Sequence, residues 1–236
     1  MIRGVLFDLD NTLTDFMRMK RLASAEAARA MIAAGADFGC TADEAGERLF
    51  EHYLSHGIES DDAFARFLEK NNASRIAYGQ SRTDKILAAG IQAYLRSKDA
   101  LLAPYPGVRQ TLVELTRRGL KLGVLTDAPR LKAWQRLTQL ALAEFFDTVV
   151  TSGDTGLQKP HPVPFRTALQ AMDLRPFEVL MVGDWPEKDV QGAKEAGLRT
   201  ALAEYGGHHH DADHGADFVI QSFAEVLRCL DELRRA

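Results

Sequence analysis

Between Asp15 and about Leu102 no segment of the chain reads as a β-strand, although strands flank that block on both sides. Before it, the apolar run Val5-Leu6-Phe7 stops abruptly at Asp8, and a second carboxylate follows at Asp10. Residues two apart in an extended chain point to the same side, so both acids can enter one site. Asn11, Thr12 and Thr14 then bring turn chemistry. The block itself has helical signals throughout. An alanine-rich stretch ends near Ile32, with Gly35 as its stop. Thr41 and Glu44 have capping-box spacing ahead of the stripe Leu49, Phe50, Tyr53 and Leu54. Phe64, Phe67 and Leu68 share one face of a short segment, and Ile86, Leu87, Ile91, Tyr94 and Leu95 mark a longer one.

After Pro104-Tyr105-Pro106-Gly107 the pattern alternates. A helix carrying Val108, Leu112 and Leu115 leads to a strand, Leu120 to Leu125, ending in Thr126-Asp127. Leu131, Trp134, Leu137 and Leu140 mark the next helix and Phe146 to Val150 the next strand. Phe165, Ala168, Leu169 and Met172 form another helical face, and Val179 to Val182 is a strand ending in Gly183-Asp184. A short helix stopped by Gly197, strands at Thr200 to Ala203 and Phe218 to Ile220, and a final helix opened by Ser222 and Glu225 complete the chain. Such alternation implies an α/β fold with a doubly wound parallel sheet covered on both faces, whose ligands bind beyond the carboxyl ends of the strands. The expected division is a core of residues 1–14 and 103–236 with an all-helical insertion, 15–102, lying over that edge.

Four elements fall at strand ends or in the loops that follow them: Asp8-Leu9-Asp10-Asn11-Thr12, Thr126, Lys159-Pro160-His161-Pro162, and Gly183-Asp184 followed by Asp189. Their order and spacing resemble the haloacid dehalogenase (HAD) superfamily, specifically its phosphatases with a helical cap inserted after the first motif. The resemblance covers essentially the whole chain, and its strength lies in the four motifs occurring together. Charge balance leads the same way. Carboxylates in one pocket repel by about 1–4 kcal/mol per pair at ~4 Å, depending on the effective dielectric. One lysine cannot neutralise four of them, so a hard divalent cation with oxygen ligands is the natural occupant, and Mg²⁺ suits a phosphate site.

The resemblance implies a Mg²⁺-dependent phosphatase acting on a small phosphorylated molecule. In it Asp8 is the nucleophile that forms an aspartyl-phosphate and Asp10 the general acid and base. Thr126 and Lys159 hold the phosphoryl oxygens. Asp8, the Asp10 backbone carbonyl, Asp184 and Asp189 surround the metal. Some positions depart from the commonest family pattern. Asp127 follows Thr126 where Asn is frequent, and reads as an N-cap for the helix starting near Pro129. Trp185 and Lys188 stand where smaller or amide side chains are common.

The alternatives are a phosphomutase on a sugar phosphate, a dehalogenase, which needs neither Asp10 nor a metal, and a non-catalytic binding protein, which has no reason to keep all four motifs. A net charge of −4 gives no electrostatic reason to expect nucleic acid or an anionic membrane. Cys40 and Cys229 lack any pairing or zinc spacing, and no apolar stretch approaches the ~20 residues of a membrane span. The expectation is a cytoplasmic monomer or homodimer. Arg18, Lys20 and Arg21 read as a solvated helix face, and His208 to His214 as a surface loop rather than a metal site.

Overall fold

The structure, a computed structural model, describes residues 1–60, 62–71, 80–207 and 215–235. The His208–His214 segment lies outside the described residues. The chain divides into two compact units, Met1–Asp15 with Ala103–Ala236, and Phe16–Leu102.

The first unit is built on a six-stranded sheet of order β3-β2-β1-β4-β5-β6, with every neighbouring pair parallel. The strands are β1 (Gly4–Phe7), β2 (Lys121–Thr126), β3 (Thr148–Thr151), β4 (Val179–Gly183), β5 (Arg199–Ala203) and β6 (Phe218–Ile220). Helices α5 (Val108–Arg117), α6 (Arg130–Gln139), α8 (Pro162–Met172) and α10 (Val226–Arg235) connect or follow them, with one-turn helices α7 (Ser152–Thr155) and α9 (Gly192–Glu195). Every residue of β1 is buried, as expected for the central strand of a sheet covered on both faces. Its successive side chains go to opposite faces. Leu6 packs with Phe165, Ala168 and Met172 of α8 and Ala193 of α9. The Phe7 ring lies 5.3 Å from that of Phe223 and 6.2 Å from that of Phe146. Burying each of these side chains stabilises the fold by roughly 1.5–3 kcal/mol.

Two helical faces differ from the periodicity. In α6 only Leu137 and Leu140 of the stripe Leu131, Trp134, Leu137 and Leu140 turn inward. Leu131 is 71% exposed, whereas Ala133, Arg136 and Leu137 are buried. The spacing before the last helix does not close a capping box. Glu225 instead accepts the Gln221 N–H and the Ser222 hydroxyl around a 3₁₀ turn, Phe223–Glu225, ahead of α10.

The second unit consists of α1 (Phe16–Ala33), α2 (Ala42–His56), α3 (Ala63–Asn71) and α4 (Gln80–Leu101). Thr41 and Glu44 form a reciprocal capping box: the Thr41 hydroxyl oxygen accepts the Glu44 N–H, and the Glu44 carboxylate accepts the Thr41 N–H at 2.8 Å. Tyr53, Phe64 and Tyr94 make an aromatic core with ring separations of 5.5 to 6.2 Å. Lys20 belongs to that core and not to a solvated face. It is 4% exposed, with Nζ 3.8 Å from the centre of the Tyr53 ring, a cation–π contact that offsets part of its desolvation. Arg18 and Arg21 are exposed. Within α4, Ile86 and Tyr94 are buried while Ile91 and Leu95 are 38% and 41% exposed, so its apolar face is narrower than the sequence pattern. Among the described residues no helix is long and apolar enough to cross a membrane.

Candidate active site

Asp8 follows Phe7 directly, beyond the last residue pairs that β1 makes with β2 and β4, and its N–H donates to the Val182 carbonyl at 2.9 Å. The sheet thereby holds the Asp8 backbone while releasing its side chain at the carboxyl edge. The chain then turns. Asn11 adopts φ 61°, a left-handed conformation that asparagine tolerates better than most residues, and its N–H donates to Thr14 at 2.7 Å. Leu13 N–H reaches Leu9 at 3.0 Å, and the Tyr205 hydroxyl donates to the Thr12 carbonyl at 2.9 Å.

Asp184 follows β4 and receives the Thr12 hydroxyl at 3.4 Å. Asp189 lies five residues on in a π-helical turn, Pro186–Gln191, where the peptide N–H groups of Asp189 and Val190 both point at the Trp185 carbonyl. Its carboxylate turns back to accept the Trp185 N–H at 3.0 Å. A glycine at 183 is needed here, because a Cβ would overlap the Asp189 carboxyl group. Gly206 allows an equally close approach, to Asp184 and the Asn11 carbonyl.

Lys159 ties these elements together. Its Nζ lies 2.5 Å from Asp8 Oδ1, 2.6 Å from Asp189 Oδ1 and 3.1 Å from the Leu125 carbonyl. Asp8, Asp184, Asp189 and Lys159 are all buried, and ligand atoms of the three carboxylates lie within 4.8 Å of one another. Burial pushes the Asp8 carboxyl well above the ordinary range. Lys159 works against that shift, while Asp189, Asp184 and Asp10 add to it. Asp189 is raised for the same first reason, again opposed by Lys159. For Lys159 burial favours the neutral amine, but Asp189, Asp8 and Asp127 together outweigh it and hold the proton on.

Thr126 ends β2 beside Leu125. Its oxygen accepts the Ala128 N–H at 3.1 Å, which leaves the hydroxyl hydrogen to donate elsewhere. Asp127 does not cap α6, whose N-cap is Pro129 without a side-chain bond. It instead accepts the Lys159 N–H at 2.9 Å on one oxygen and Lys188 Nζ at 3.0 Å on the other. Lys188 also lies 4.5 Å from the Trp185 ring. The loops after β2, β3 and β4 are therefore pinned to one another by residues that looked like departures from a pattern.

Asp10 stands apart from the acidic cluster. Arg136 of α6 donates to its Oδ2 at 2.7 Å, and Arg136 is 3% exposed. Helical periodicity missed Arg136. The signal was an arginine beside Ala133 and Leu137 on the face that turns inward.

Three buried carboxylates face one ammonium in this pocket, an excess of acidic over basic groups. An all-oxygen donor set of that charge fits a hard divalent cation. An acidic oxygen nucleophile, a lysine and a hydroxyl at one sheet edge can bind and attack a phosphoryl group.

Residues 2–197 match the family described as haloacid dehalogenase-like hydrolase. The glyceraldehyde 3-phosphate phosphatase of Methanocaldococcus jannaschii is 36% identical over 238 residues, covering 100% of both chains. That of Pyrococcus furiosus is 34% identical over 236 residues, covering 98% of this chain and 93% of its own. Among solved structures, a HAD phosphatase from Thermococcus onnurineus superposes with a TM-score of 0.70 at 26% identity, over 97% of this chain and 98% of the other. The chain belongs to the haloacid dehalogenase-like hydrolases and stands among that family's phosphatases.

Proposed function

We propose that the protein hydrolyses a small phosphomonoester through a phosphoaspartate on Asp8. The observation that carries this reading is Lys159 bridging Asp8 and Asp189 at the edge where Asp184 and Thr126 also emerge. An Asp8 oxygen attacks phosphorus, and the bond from phosphorus to the ester oxygen breaks. Asp10 gives its proton to the departing alkoxide. A water then loses a proton to Asp10 and attacks the phosphorus of the acyl phosphate. Inorganic phosphate leaves and Asp8 is regenerated as a carboxylate. Lys159 and Thr126 hold the non-bridging oxygens, where negative charge accumulates. Lys159 also opposes the burial that raises Asp8 and so favours its anionic, nucleophilic form.

Mg²⁺ is the proposed cofactor, held by Asp8, Asp184 and Asp189 with the Asp10 backbone carbonyl. When bound it neutralises charge on the phosphoryl group. The helical unit 16–102 is proposed as the cap that selects the leaving group. The named relatives make a three-carbon phosphate, glyceraldehyde 3-phosphate, the first substrate to test.

Phosphate release across a panel of triose, sugar, nucleotide and amino-acid phosphates, with and without Mg²⁺, tests the reading. Asp8→Asn is the control. Release that needs both Asp8 and the metal supports it. Isomerisation without phosphate release would show a mutase instead, and full activity in Asp8→Asn would remove the nucleophile.

A further inference from the structure

The pairing of Arg136 with Asp10 joins residues 126 positions apart in the chain, at 2.7 Å. It has an unusual location. Arg136 lies on the buried face of α6 with Ala133 and Leu137, both fully buried, and is itself 3% exposed. An apolar side chain of similar length would cover that face without the cost of desolvating a guanidinium, and replacing buried ion pairs by apolar residues is often neutral or stabilising. Fold stability alone therefore gives no reason for an arginine here. The Asp10 side chain is 24% accessible, but its second oxygen, Oδ1, is buried, so Arg136 on Oδ2 fixes where that inner oxygen lies.

From these contacts we infer that Arg136 is a positioning residue for proton transfer: it fixes the orientation of the Asp10 carboxylate from behind, through the charge-assisted bond to Oδ2. A carboxylate on a turn has free rotation about two bonds. Anchoring one oxygen from a rigid helix leaves the other carboxylate oxygen to a restricted arc. The same bond keeps the Asp10 side chain from joining the Asp8, Asp184 and Asp189 cluster, so the acids divide into a metal-type set and a proton-transfer group. The inference rests on the reading of Asp10 as general acid and base.

The test compares two substrates in kcat/KM, which reports on steps up to leaving-group departure. Alkyl phosphates need a proton on the leaving oxygen, whereas p-nitrophenyl phosphate does not. Arg136→Met is expected to lower kcat/KM for the best alkyl phosphate by roughly 10²-fold, the lower end of what general acid catalysis supplies, with p-nitrophenyl phosphate affected less than about fivefold. Arg136→Lys is expected to recover part of the loss. In the Asp10→Asn background, adding Arg136→Met is expected to change nothing further, because both act through one group. Equal losses on both substrates, or additive losses in the double variant, would overturn the inference and leave Arg136 a packing residue. If Arg136→Met folds poorly, Arg136→Lys carries the same two-substrate comparison. Asp10→Asn with undiminished alkyl phosphatase activity would sink the reading of Asp10 itself. An inactive Asp10→Asn beside a fully active Arg136→Met would sink only the role of Arg136.

Discussion

Lys159 Nζ lies 2.5 Å from Asp8 Oδ1 across a sequence separation of 151 residues, with both side chains buried. Removing the ammonium leaves a buried carboxylate without its cation, and truncating one partner of such a pair costs about 3–5 kcal/mol. Metal-free Lys159→Met is therefore expected to unfold at lower urea than the parent. The deficit should grow as pH rises above the ordinary carboxylate range, because burial already raises Asp8 and its charged form is the one that loses its partner. Urea titrations at pH 5 and pH 8 measure this, and an equal deficit at both would contradict it.

Mg²⁺ should stabilise the protein independently of any substrate. A ligand that binds only the folded state contributes about 2.7 kcal/mol at one hundred times its Kd. Melting curves with increasing Mg²⁺ are expected to shift upward for the parent and not for Asp184→Asn.

Gly183→Ala should damage the acidic cluster without touching an ionisable group. The added methyl displaces the Asp189 carboxyl, and forcing extra volume into a packed site costs about 1–3 kcal/mol. Calorimetric Mg²⁺ binding is expected to weaken in this variant, together with a lowered melting temperature. Unchanged binding would mean that Asp189 does not contribute to the metal.

The clasp formed by Asp127 gives a milder prediction. Asp127→Ala removes acceptors for both the Lys159 N–H and Lys188 Nζ, and Lys188→Met removes only the latter. Loss of kcat/KM is expected in both, by roughly tenfold or more in Asp127→Ala and less in Lys188→Met, because small displacements of a positioned group are costly.

Glu178 is one acid-sensitive point of the core unit. It is buried, with its carboxylate held by the Arg175 side chain and N–H and by Arg3. The Arg175 contacts bring its pKa down to about 2. A depressed carboxylate adds stability that is fully present above its unfolded pKa of about 4.3 and is lost as pH falls towards the folded value. Glu178→Gln is expected to be less stable than the parent at pH 7, with the gap closing between about pH 4.3 and 2. Chemical denaturation across that range reads it directly.

All six strands could be found from the sequence because each is a short apolar run cut off by a polar or glycine residue, and buried parallel strands look like that. The acids at their ends were legible for the same reason. Arg136 was not. Leu131 and Trp134 set the apparent stripe of α6, yet single apolar residues on a surface are common, and the buried position went to an arginine. Asp127 was misplaced by local logic: beside Pro129 it looks like a cap, but its partners Lys159 and Lys188 are 32 and 61 residues away. Lys20 failed similarly, because no pattern of charges predicts an ammonium over an aromatic ring.

The position of β1 in the sheet has a consequence for how the protein is made. It is the first strand to leave the ribosome, yet both its neighbours, β2 and β4, begin more than a hundred residues later. The helical unit's own contacts are available in the meantime. At about 5–20 residues per second, Val5, Leu6 and Phe7 stay unpaired for many seconds, a window in which a nascent chain is open to chaperones or to aggregation. Chains halted before residue 179 would hold Asp8, Asp10, Thr126 and Lys159 but lack β4, which pairs with β1 and accepts the Asp8 N–H. Residues 4–7 are thus synthesised well before the strands that order them and are among the last of this unit to acquire their structure.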